Sequence, residues 1–257
     1  MTARALALLA LSGIPLGGSS PAIKMRYRID QTIEQAVDAS AIEGGQQQQR
    51  FTVSTFLSVT LTDTVGGKVV SAVVDSMRAD SAPVPKAVLD SARGTPFHGL
   101  LDPTGHVTGV TALRDTPLAP QLTDVISRLY PGLRPGLKVG DGWTDTTTTS
   151  SPAAGGSMTV SRITTYKATA TENRREGKAV KVETAVISNV TGTQQMPGGP
   201  AQIEGTGSGT GAHYVASDGR YLGGGYSLTT KLTLAGAFAS KPLPVTLTET
   251  FAVSALQ

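Results

Sequence analysis

The sequence predicts a mainly β protein: one large curved antiparallel sheet, a half-barrel or open barrel, with one or two short helices on its concave side. Three observations carry that expectation. Apolar and polar residues alternate with period two almost everywhere after residue 23. Only two stretches show a helical period. Glycines at 205, 207, 209, 211, 223, 224 and 225 crowd one hairpin, where bare backbone permits sharp bending.

Taken in order, Phe51, Val53, Thr55, Leu57, Val59 and Leu61 form one face of a strand over 51–61, and their even-numbered neighbours are mostly Thr and Ser. Gly66-Gly67 turns the chain into a valine-rich strand over 68–79. A short helix candidate runs from Pro85 to Ala92 and stops at Gly94. Asp115-Thr116-Pro117 supplies a cap and a first-turn proline for a second helix over about 117–129. Its residues Leu118, Leu122, Val125, Ile126 and Leu129 make one apolar stripe, ended by Pro131-Gly132. The strands 158–172 and 178–190 flank a turn at Arg174–Gly177, with Val180, Val182, Val186 and Val190 on one face. Asp218-Gly219 is a hairpin signal that sets Tyr214 opposite Gly223 and Tyr226 opposite Gly211. Leu243, Val245, Leu247, Phe251 and Val253 close the chain as a last amphipathic strand. Roughly ten or eleven strands are expected in all.

Residues 1–22 combine Arg4, the apolar run Ala5–Leu11 and a small-residue exit at Ser19-Ser20-Pro21-Ala22, the layout of a secretory signal. The mature protein is then expected to begin near residue 22 or 23 and to be periplasmic or secreted. No later segment approaches the length of an apolar membrane span. Residues 23–257 are expected to form a single antiparallel β domain. Its halves, 23–130 and 141–257, are joined by the Pro/Gly-rich segment 131–140. Phe56 and Tyr166, Gly67 and Gly177, Lys68 and Lys178, and Val70 and Val180 recur at one spacing. A duplicated unit would produce that recurrence, and so does chance among β proteins.

Composition removes several classes of chemistry. With no cysteine there is no disulfide, thiolate metal site or cysteine nucleophile. A net charge of +3 without a basic stripe gives no support for a nucleic-acid partner. Gly207–Ala212 matches the relaxed dinucleotide pattern, but a hairpin strand follows where a helix is required. His98, His106 and His213 read as surface or rim histidines, the first two on opposite faces of one hairpin, so no metal site is expected. Scattered acidic residues and the lack of a nucleophile motif point away from catalysis, and no cofactor is expected. Glu249 and Arg162 each interrupt an apolar face, which allows a buried pair between them or exposure at strand ends.

At Leu137-Lys138-Val139-Gly140-Asp141-Gly142-Trp143-Thr144 the chain resembles an uncharacterised family of exported bacterial β proteins, in which such a step opens the second half of the domain. More remotely it is similar to LolA-like half-barrel envelope proteins, which fold a curved sheet around helices and carry lipid. It departs from the lipoprotein members by lacking a lipobox cysteine. The resemblance assigns no catalytic residue. Two functions are expected. The first is an exported carrier of an apolar or lipid-like ligand, in a cavity between sheet and helix lined by Phe51, Leu57, Val180, Val182, Tyr226 and Leu228, with Trp143 at or near its wall. The second is a non-catalytic structural or assembly protein of the cell envelope, binding a protein partner through a strand edge or a threonine-rich face.

Overall fold

The computed structural model describes residues 21–38, 40, 45–80, 84–153, 155–175, 177–196, 198–237 and 241–256. The export signal read from residues 1–22 therefore lies almost wholly outside the described residues. Eleven strands form one antiparallel sheet: β1 (Ile23–Asp38), β2 (Gln46–Thr64), β3 (Gly67–Asp80), β4 (Pro96–Leu101), β5 (Val107–Ala112), β6 (Gly142–Ala153), β7 (Gly156–Arg174), β8 (Gly177–Met196), β9 (Gly199–Ala216), β10 (Tyr221–Gly236) and β11 (Leu243–Leu256). The helices are α1 (Lys86–Ser91) and α2 (Ala119–Ser127).

The sheet order is β5-β4-β3-β2-β1-β11-β10-β9-β8-β7-β6. Neighbours in sequence are neighbours in space, except that β1 pairs with β11 and that β5 and β6 lie at opposite edges. The connection between those edge strands crosses from one to the other and carries α2. The sheet curls without closing. At the gap, His106 bridges to Pro131, the Gly132 N–H donates to the Gly105 carbonyl at 3.0 Å, and His106 Nε2 lies 3.0 Å from Asp145 Oδ2 on β6.

Alternation decides which face is inside. Odd positions of β1, β2, β9 and β11 and even positions of β8 and β10 point inward. The outward face of β1 carries Lys24, Arg26, Arg28, Asp30 and Glu34. That face lacks the apolar outward band of a barrel that spans lipid. Among the described residues no helix is long and apolar enough to cross a membrane. The curl comes from glycine on β9: a Cβ on Gly209 would stand 2.2 Å from the Ser227 carbonyl oxygen, and one on Gly205 would stand 2.4 Å from that of Lys231. Only bare backbone lets β10 approach so closely on the concave side.

The core fills one half of this cup. Tyr27, Leu57, Val74, Phe97 and Phe251 from the sheet meet Leu122 and Ile126 from α2 and Leu129 just after it, all at most 2% exposed. The helix begins later than the sequence suggests. Its cap position is Leu118, without a side-chain cap, and its first turn contains Pro120, while Thr116 Oγ1 is buried with no partner. Pro117 thus leads into the turn before the helix. Burial of the apolar stripe holds α2 in place despite the missing cap. The strands at Gly67 and Gly177 each open the second arm of a hairpin, yet Phe56 points outward and Tyr166 inward.

Candidate ligand-binding site

Burial along the inward face runs in a gradient. On β1, Tyr27 and Ile29 are buried, whereas Gln31, Ile33 and Gln35 are only half-buried. On β2, Leu61 through Thr55 are buried, and Val53 and Phe51 are half-buried. On β11, Val253 and Phe251 are buried, and Glu249 and Leu247 are half-buried. Burial thus falls away from α2 along β1 and β2, whereas Leu243 and Val245 on β11 and Ala201 and Ile203 on β9 are buried again at the opposite strand ends, so the open stretch is that of β1 and β2.

A polar layer separates the two halves. Arg128, the residue at the C-terminal cap of α2, donates from one terminal nitrogen to Glu249 Oε1 and to the Tyr226 hydroxyl at 3.0 Å. Its other terminal nitrogen donates to Asp124. Gln31 Nε2 donates to the same Glu249 oxygen at 3.0 Å. The guanidinium also lies 4.9 Å from the centroid of the Phe251 ring, which stacks on Tyr226. Burial alone would pull the Arg128 pKa down, but Tyr226, Glu249 and Asp124 outweigh it and hold the guanidinium protonated. Burial raises the Tyr226 hydroxyl above its ordinary value, so it stays neutral and serves as a hydrogen-bonding group.

At the level of that layer, half-buried apolar side chains share rows with its polar members. Leu228, Glu249, Ile33 and Phe51 follow one another in a single cross-strand row. Tyr226, Phe251, Gln31 and Val53 form the next row. Of the residues expected to line a cavity, Phe51 and Tyr226 come together here half-buried, with Leu228 buried behind them in the row of Phe51. The others do not. Leu57 is 0% exposed in the core beneath α2, and Val182 is 0% exposed beside Tyr166 and Ala168, so neither faces open volume. The space between sheet and helix that they were expected to line is filled by side chains. Trp143 stacks on Tyr166 at 4.8 Å under the Arg134 guanidinium, and Val180 packs into the same small cluster with Leu133 and Leu137. Both sit near the gap in the sheet, away from the wall.

Glu249 does have a buried partner, but it is Arg128. Arg162 instead lies 6.0 Å from the centroid of the Tyr226 ring. Sequence reasoning missed Arg128. The signal was its position three residues after Val125, at the border of the apolar stripe, where a long side chain reaches the sheet face.

Two of the three histidines keep the expected surface or rim positions, and His213 does not. His98 is exposed on β4, and His106 is half-buried at the gap. His213 is 3% exposed, and its Nδ1 lies 3.0 Å from the Tyr221 hydroxyl. Burial pushes its pKa down to about 4, so it is neutral near pH 7. Tyr221 in turn belongs to a buried trio in which the Tyr27 hydroxyl donates to the Tyr221 carbonyl at 2.9 Å and lies 3.4 Å from the Tyr130 hydroxyl. Leu101 pairs with Val107, so His106 belongs to the loop of its hairpin and not to a strand face opposite His98. Among the described residues no group of three acidic or histidine side chains is placed to hold a metal. The glycine-rich pattern 207–212 runs inside β9 and meets no helix N-terminus.

No known protein family and no curated protein matches the chain. Among solved structures it is similar to mutants of the Rh. blastica porin. One aligns over 91% of this chain and 100% of that chain at 9% identity and a TM-score of 0.28. A second aligns over 92% and 100% at 10% identity and a TM-score of 0.26. Similarity at that level carries no inference about this chain.

Proposed function

We propose that the protein is a non-catalytic, exported binder of an apolar or lipid-like ligand, held in the open half of the cup. The observation that carries this reading is the half-buried wall of Ile33, Phe51, Val53 and Leu247 on the concave face, beside the Arg128–Glu249–Tyr226 layer. Apolar side chains left accessible to water in a concavity, with a few fixed polar groups at one end, are what a small-molecule site requires. The binding volume lies beside the polar layer on the β1 and β2 wall, so α2 acts as a plug and has no need to move. A fluorescent fatty acid titrated into the protein should show saturable binding and raise the melting temperature as its concentration rises. Phe51→Asp and Val53→Asp should abolish both effects. Titration to high probe concentration with no thermal shift would end this reading.

The envelope-partner reading has one observation of its own. The unpaired edge of β6 runs Thr146, Thr147, Thr148, Thr149 in continuous register with β7, with no bulge, charge or proline along that stretch. Natural sheets usually guard such an edge, and an unguarded one accepts an incoming strand. Loss of partner capture on Thr147→Pro, with ligand binding intact, would favour this second reading.

A further inference from the structure

The open half of the cup contains a cation that the fold does not use. Arg162 points inward from β7, and among the described residues it has no carboxylate partner; its guanidinium lies over the Tyr226 ring. Its Nε is buried without a hydrogen-bond acceptor. The two inward-facing acids of the adjacent row, Asp145 on β6 and Glu249 on β11, are already engaged, the first by His106 and the second by Arg128 and Gln31. The charge of Arg162 is thus left unbalanced on a half-buried surface, where an unpaired charge is costly.

The same cross-strand row supplies hydroxyls. Arg162 pairs with Ser188, Ser188 with Gly207, and Gly207 with Thr230. Ser188 is 2% exposed, and its Oγ has no hydrogen-bond partner. Ser188 Oγ and Thr230 Oγ1 stand 2.5 Å and 2.6 Å from the point that a Cβ on Gly207 would occupy, so the two hydroxyls converge over bare backbone. A second buried hydroxyl on β8, Thr184 Oγ1, is also without a partner and pairs across the sheet with Tyr166 and Gly211.

We propose that Arg162, Ser188 and Thr230 form a clamp for the carboxylate head of the bound ligand, which makes the ligand class an acid-headed alkyl chain; this rests on the cup reading above. One permanent cation whose planar fork matches a carboxylate, together with two hydroxyl donors, balances a single negative charge. The Tyr226 ring beneath the guanidinium keeps the fork oriented, and the tail runs along Leu228, Ile33 and Phe51. Gly207 is needed because any side chain there would occupy the place where the hydroxyls meet.

Calorimetric titration of the full chain with dodecanoate, dodecanol and acetate tests the clamp. Dodecanoate should bind at least about tenfold more tightly than dodecanol, the ratio expected for one charge-assisted hydrogen-bonded pair. Arg162→Gln should erase that ratio and leave dodecanol affinity unchanged. Ser188→Ala should lower it without affecting dodecanol. Equal affinity for acid and alcohol in the wild-type chain would overturn the clamp and leave the cup reading standing. Acetate binding as tightly as dodecanoate would retain the clamp and defeat the cup reading. Binding of none of the three would overturn both. If Arg162→Gln does not fold, the comparison of acid with alcohol on the wild-type chain decides alone.

Discussion

Replacing Gly209 with alanine isolates the cause of the curl. Local preference favours the exchange, because alanine inside a strand gains about 0.5–1 kcal/mol over glycine through the entropy of the unfolded chain. Packing opposes it. The new methyl would stand 2.2 Å from the Ser227 carbonyl oxygen and 2.8 Å from the Leu228 Cα. Both are backbone atoms of β10, so relief requires the two strands to part or the sheet to flatten. Overpacking of this kind costs about 1–3 kcal/mol, which exceeds the entropic gain and leaves the variant about 1–2 kcal/mol less stable. Gly142→Ala is the matched control, since its methyl would meet only the Tyr166 carbonyl oxygen at 3.4 Å, an ordinary contact. Urea unfolding followed by circular dichroism should show the first variant losing stability and the second unchanged or slightly gaining. A Gly209→Ala protein as stable as the wild type would show that curvature does not depend on bare backbone at this position.

Acid should destabilise the protein through His213. Its folded pKa of about 4 lies below the ordinary value of about 6.5, so the unfolded chain takes up the proton first. Stability is then complete above about pH 6.5, falls by about 1.4 kcal/mol per pH unit, and levels off below about pH 4, a loss of about 3 kcal/mol. Unfolding curves of His213→Gln should lack that component, and identical pH profiles for the two proteins would refute it. Leu122→Asp and Ile126→Asp should each cost more than about 3 kcal/mol, since both side chains are 1% exposed and a carboxylate there finds no partner; unchanged thermal unfolding would mean that the stripe is not buried. Glu249→Gln removes the charge that balances Arg128, and with both side chains about one-fifth exposed the loss should be about 1–3 kcal/mol, below that of a fully buried pair. A double-mutant cycle with Arg128→Met should return most of that loss as coupling.

Local chemistry explains why so much of the fold was legible. Period two fixes which face of each strand turns inward, a short-range property written into consecutive residues. Tyr214 does stand opposite Gly223 and Tyr226 opposite Gly211, but the turn alone does not set this: Tyr221 pairs with Val215 beside it, and a bulge before Gly223 shifts the register into place. The start of α2 was misplaced because Asp115-Thr116-Pro117 has the composition of a cap, while tertiary burial of Leu122 and Ile126 decides where the helix sits. His213 was misjudged for a related reason. Nothing beside it in sequence announces that the curl places it against Tyr221.

The site was half legible, and the missing half has a physical explanation. Alternation identifies Phe51, Tyr226 and Leu228 as inward-facing, but Leu57 and Val182 satisfy the same test and are sealed in the core. What separates them is the position of α2, which fills only one half of the cup, and no pattern within a strand encodes how far a helix reaches along it. The polar layer is the boundary. Glu249 could be recognised as an acid on an apolar face, yet its partner comes from a helix far away in sequence. Once Arg128 takes Glu249 and His106 takes Asp145, Arg162 has no ion-pair partner among the described residues. A cation left over on a concave face beside unpartnered hydroxyls therefore follows from where the helix ends, and it gives the open half of the cup a chemical preference that composition alone does not reveal.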